Sequence, residues 1–98
     1  MTNFHSDDIK YFLKAVLLLE NEEECRKFFE DICTVKELID ISQRLCVAKA
    51  LKEGKSYSEV SKETGASTAT ISRVNKCLVY GDGGYTTILD RLDKSEEE

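Results

Sequence analysis

Between Thr68 and Lys76 the polar side chains fall at helical spacing: Thr68, Thr70, Ser72, Arg73, Asn75 and Lys76, with Ala69 a small apolar surface among them. Hydroxyls, an amide and two cations in this pattern suit base edges and phosphate oxygens, and an alanine methyl suits the methyl group of thymine. Ser67 and Thr68 head the segment, where the backbone amides of a helix N-terminus can also meet a phosphate. The chemistry implied is noncovalent reading of duplex DNA, through Ser67, Thr68, Ala69, Thr70, Ser72, Arg73 and Lys76. A helical hairpin that merely packs, with a solvated Ser/Thr-rich face, is the alternative for the same residues. Enzyme chemistry has less support. There is no glycine-rich phosphate loop, no carboxylate pair with an apparent role, and His5 is the one neutral-pH base.

Such a reading helix must be held by a second helix through a tight turn. Tyr57 to Lys76 meets those demands. Ser56-x-x-Glu59 is a capping-box pattern that opens a short helix over about 57–64. Val60 faces inward, and Ser61 is small enough for the helix crossing. Gly65 supplies the left-handed backbone that is cheap only without a Cβ. Ala66 fits beneath the turn, and Ile71, Val74 and Leu78 form the buried stripe of the second helix, which runs to about Val79. Thr64 is the exception, standing where a strongly apolar residue would be expected.

The rest of the chain reads as helix. No proline occurs in the 98 residues, and Ala, Leu, Glu and Lys are plentiful. Ser6-Asp7-Asp8 caps a first helix running to about Leu19, with Ile9, Phe12, Leu13, Val16 and Leu17 as its stripe. Asn21 starts a second, with Cys25, Phe28, Phe29, Ile32 and Cys33. Thr34-x-x-Glu37 is another capping-box pattern, opening a third helix to about Glu53 that Gly54 ends. Val35, Leu38, Ile39, Ile41, Leu45, Cys46, Ala48 and Leu51 cover more than one of its faces. A chain this short buries little core alone, so some partners for those faces are expected from a second copy. Gly81-Asp82-Gly83-Gly84 breaks the chain before a last amphipathic segment carrying Tyr85, Ile88, Leu89 and Leu92. The expected organisation is one all-α domain. It comprises a dimerisation core over 1–53, a helix-turn-helix over 57–79, a C-terminal helix over 85–93 and a frayed acidic tail over 94–98.

The net charge of −5 looks wrong for a nucleic-acid binder, but its distribution matters more. Residues 1–41 and 77–98 carry net −5 and −4, whereas 42–51 and 52–76 each carry +2. Charges beyond about 8 Å are screened at physiological salt, so a local basic face can act despite acidic flanks. An acidic helical protein-interaction module without DNA binding is the rival reading. The polar N-terminus and the short apolar run at Ala15 to Leu19 predict a cytoplasmic protein with no membrane partner. Cys25, Cys33, Cys46 and Cys77 show no C-x-x-C spacing. They read as small apolar side chains in reduced, helical positions, with no metal and no cofactor expected.

From Thr34 to Arg73 the chain resembles the Trp repressor superfamily, particularly its small YerC/YecD branch. The turn and Ala69-Thr70-Ile71-Ser72-Arg73 are the most specific part of the match. The flanking helices match in order and approximate length. The resemblance implies an interlocked homodimer whose first three helices share one core, with two helix-turn-helix heads on a DNA operator. It also implies that Thr68, Ala69 and Ser72 lie at base-reading positions. Arg44 and Arg73 match the two arginines that sandwich the indole of the co-repressor in the tryptophan-responsive member. Val74 departs from that member, which has a pocket-lining glycine there, and the helix-turn-helix begins one residue sooner after Gly54. An effector pocket of Arg44, Arg73 and Val74 is therefore expected to disfavour L-tryptophan, because the valine methyls would crowd the ring. Arg44 is then expected in an ion pair and Arg73 on phosphate.

Overall fold

The computed structural model describes residues 6–96, so His5 and residues 97–98 lie outside the described residues. Six helices follow in order: α1 Asp7–Leu17, α2 Glu22–Ile32, α3 Val35–Lys52, α4 Tyr57–Thr64, α5 Thr68–Tyr80 and α6 Gly84–Glu96. Among the described residues there is no strand. The chain divides into two compact units, one up to Leu38 and one from Ile39 onward.

In the first unit, local chemistry sets the helix starts. The Ser6 hydroxyl accepts from the Ile9 amide at 3.3 Å, and the Asn21 side chain accepts from the Glu24 amide at 2.9 Å. Acidic residues fill both first turns, where the helix dipole favours them. Phe12, Phe28 and Phe29 then form an aromatic trio. Phe12 stacks on Phe28 with ring centroids 6.1 Å apart, and Phe28 meets Phe29 edge-on at 5.4 Å. Aromatic pairs at these spacings add about 0.5–1.5 kcal/mol beyond their buried area. Leu13, Leu17 and Ile32, on the expected stripes, stay exposed.

α3 crosses from the first unit into the second. Its start is a complete capping box: Thr34 N–H donates to the Glu37 carboxylate at 2.8 Å, and Glu37 N–H donates to the Thr34 hydroxyl at 3.0 Å. Those Thr34 bonds hold the Glu37 carboxyl below the usual glutamate range. At the other end Gly54 adopts φ +87°, its N–H bonding Leu51 O while Lys55 N–H reaches back to Ala50 O at 3.2 Å. This pair of bonds is a Schellman stop.

The core of the second unit is small and drawn from every element in it. Val47, Ala48 and Ala50 come from α3, Val60 from α4, Ala66 from the following turn, Ile71 and Val74 from α5, and Leu89 from α6. Leu51, Leu78 and Tyr85 pack around it. Two expectations are corrected here. The last helix spans Gly84–Glu96, where the expected bounds are 85–93. On this helix Asp90 is paired with Lys52 and also attracts Lys94, four residues further along. The cysteines also differ: Cys33 caps α2 instead of lying within it, Cys46 and Cys77 are exposed, and Cys25 and Cys33 are half-buried.

Candidate nucleic-acid interface

Ser56 opens α4 with a capping box in which its hydroxyl accepts from Glu59 N–H and the Glu59 carboxylate accepts from Ser56 N–H at 3.1 Å. These bonds hold the Glu59 carboxyl below its ordinary range. Val60 is fully buried, as the inward position requires.

Gly65 ends α4 at φ +74°, with its N–H on Ser61 O. A Cβ built there meets nothing within 4 Å, so glycine answers a backbone demand and not a lack of space. An L side chain in that conformation costs about 1–2 kcal/mol. Side chains then lock the turn. Ser61 Oγ donates to Ala66 O at 3.0 Å, Thr64 Oγ1 donates to Val60 O at 2.7 Å, and Ala66 N–H donates to Thr64 Oγ1 at 3.2 Å. Thr64, which looked deficient as a packing residue, thus works through hydrogen bonds. Gln43, on α3, donates from Nε2 to Thr64 O at 3.1 Å. Sequence reasoning missed Gln43; its signal was its place one turn before Val47, on the face that packs toward the core.

α5 begins at the Ser67 cap, whose Oγ accepts from Thr70 N–H and also donates to Thr70 Oγ1, both at 3.2 Å. Those two expected contact residues are therefore engaged with the helix start, and Thr70 is half-buried. The Thr68 and Ala69 amides head the helix without intrahelical acceptors. Ile71 and Val74 are in the core at 0% and 1% exposure. That fixes the opposite face, on which Thr68, Ala69, Ser72, Arg73 and Lys76 are exposed together, and leaves Asn75 half-buried.

The expected effector trio is not brought together in the same way. Arg44, half-buried, lines a groove of about 530 Å³ with Ile41, Leu45, Cys77, Tyr85 and Ile88. Arg73 and Val74 are not in that lining. The reason is angular: successive helical residues point about 100° apart, so Arg73 goes outward while Val74 goes into the core.

The basic segment is also less uniform than its sequence. Lys52 is paired with Asp90, and Lys55 lies 2.6 Å from Glu63 and 3.4 Å from Glu53. The Glu63 hydrogen bond raises the Lys55 pKa. Exposed pairs of this kind contribute little stability, but they remove positive charge from what a polyanion would meet. Arg73 and Lys76 are left as the cations on the exposed face of α5. Among the described residues, no group of three His, Cys, Asp or Glu is placed to hold a metal, and no helix is long and apolar enough to cross a membrane.

Comparison with known proteins agrees with this geometry. Residues 7–93 match the family model of the Trp repressor protein. The chain is 46% identical over 91 residues to the uncharacterised protein YerC of Bacillus subtilis (strain 168), covering 93% of this chain and 88% of that one. The crystal structure of a TrpR-like protein from Eubacterium eligens ATCC 27750 superposes with a TM-score of 0.89 at 43% identity, covering 92% of this chain and 93% of the other. A solved structure from Staphylococcus aureus gives the same TM-score at 46% identity, covering 95% and 96%. With six helices among its described residues, this turn, and likeness over nearly its whole length, the chain belongs to the Trp repressor family, in its YerC-like branch.

Proposed function

We propose that this chain is a sequence-specific, double-stranded-DNA-binding transcriptional regulator. It acts as a repressor of the Trp repressor type, in the cytoplasm, as a homodimer. The observation that carries the reading is the division of α5 into two faces. Ile71 and Val74 are locked in the core, while Thr68, Ala69, Ser72, Arg73 and Lys76 stand exposed on the other side. A helix so anchored presents hydroxyls, a methyl and two cations as a fixed surface, which is what groove recognition requires.

Selection of bound duplexes from a random library tests this directly. The expected product is a two-fold symmetric site with half-sites about 34 Å apart, one helical turn. Thr68→Ala and Ser72→Ala should each relax preference at one position, by about 1–3 kcal/mol where a base contact is lost. Lys76→Ala should instead weaken binding evenly across sequences and flatten the salt slope by about 1. No enrichment of any duplex, with retention on a protein partner alone, would favour an acidic interaction module.

Free L-tryptophan is not the main effector under this reading; a smaller ligand, or none, is. Val74 is held in the core, and of the two arginines Arg44 lines the groove while Arg73 does not. Stacking of an indole between two arginines, worth roughly 0.5–2 kcal/mol per contact, therefore lacks one of its two partners in that groove. Calorimetry at millimolar L-tryptophan should show no heat of binding and no change in operator affinity. Tight binding with enhanced DNA affinity would refute the point.

A further inference from the structure

We propose that Gln43 is a positioning residue that sets where the helix-turn-helix turn sits on the long helix; this rests on the DNA-reading function proposed above. The turn's own side-chain bonds, Ser61 to Ala66, Thr64 to Val60 and Ala66 to Thr64, span five residues or fewer. They fix the shape of the turn but not its place on α3. The Gln43 bond to Thr64 O spans 21 residues and is half-buried.

Its acceptor is the carbonyl of the last residue of α4, one of the helix-end groups that no intrahelical amide can satisfy. Its donor lies on the same face of α3 as Val47 and Ala50, at i, i+4 and i+7, so the bond continues the apolar seam by one turn. Apolar contact between α3 and the head is non-directional and tolerates small sliding. A hydrogen bond weakens steeply when distance and angle drift, so it pins one point of the head. The pinned point is three residues before Ser67, the cap of α5, and an error there is carried along the reading helix.

The experiment compares duplex affinity, its salt slope and amide exchange at Gly65 and Ala66 for Gln43→Leu, Gln43→Glu and Gln43→Lys. Gln43→Leu removes the donor at similar size. It should lower affinity about threefold to tenfold and speed exchange at the turn, with unchanged salt slope and helical content. Gln43→Glu, acceptor-only and facing a carbonyl, should be at least as weak. Gln43→Lys restores a donor and should bring exchange at Gly65 and Ala66 back toward wild type in the free protein, a readout that its added charge does not alter through attraction to DNA. Should Gln43→Leu fail to fold, the Glu and Lys variants carry the same comparison. Wild-type affinity and exchange in Gln43→Leu, or exchange at the turn as fast in the Lys variant as in the Glu variant, would overturn the proposal. Failure of the wild-type chain to bind any duplex would overturn the underlying function instead, and is seen before any variant is compared.

Discussion

An Ile39→Asp variant should sediment as a monomer at concentrations where the unsubstituted chain is a dimer. Ile39 is 60% exposed on the single chain, and so are several apolar neighbours on the same long helix: Val35, Ile41 and Leu45. Substitution at such a site in a monomer normally changes stability by less than about 0.5 kcal/mol. If a second copy covers it, the aspartate is buried without a partner, at a cost of about 3–5 kcal/mol per copy. Two-fold symmetry applies that cost twice, so dimer affinity should fall by more than about ten-thousandfold. The unsubstituted chain should also melt at higher temperature as its concentration rises, by mass action. Sedimentation equilibrium with melting curves over a hundredfold concentration range decides it. A compact, cooperative monomer at micromolar concentration, or an Ile39→Asp variant as dimeric as the parent, would end the homodimer reading.

The second large effect lies in the head. Ile71→Ala should destabilise the fold by about 2–5 kcal/mol, a large part of the roughly 5–15 kcal/mol that holds a domain of ordinary stability. Ile71 is fully buried in the core to which α3, α4, α5 and α6 contribute, so truncation leaves a hole there. Ser72→Ala, the next residue but on the exposed face, should stay within about 0.5 kcal/mol. Denaturant titration should show the midpoint moving for Ile71→Ala and not for Ser72→Ala, with unchanged slopes. Equal small shifts would mean that α5 is not anchored by this face.

Much of this architecture was legible because the signals are local. Ser56-x-x-Glu59 and Thr34-x-x-Glu37 each close as a capping box, Gly65 takes the left-handed turn, and Val60, Ala66, Ile71 and Val74 are buried as the motif demands. α3 was harder. It is apolar on several sides, so no single stripe stands out: Val47 and Ala50, two of its three core positions, are missing from the expected apolar faces, while Ile39 and Leu45, which are on them, are exposed. Cys46 was grouped with the apolar faces yet is exposed. At the candidate site, the exposed face of α5 followed from helical spacing. The fates of Ser67 and Thr70, whose hydroxyls bind each other, and of Lys52 and Lys55, whose charges are paired, depend on rotamers and on residues up to 38 positions away. Pattern alone does not hold that information.

The interleaving of α5 has an evolutionary consequence. The residues that anchor the helix and those that face outward alternate along one short segment but share no position. Replacement at Thr68, Ala69, Ser72, Arg73 or Lys76 therefore leaves the packing of Val60, Ala66, Ile71 and Val74 intact. Surface changes of this sort rarely exceed about 0.5 kcal/mol, so a lineage can substitute at these sites without first acquiring compensating stability. Divergence after gene duplication would then be expected to accumulate at those five positions sooner than at the four beneath them. Paralogues could come to serve different operators while keeping an unaltered scaffold.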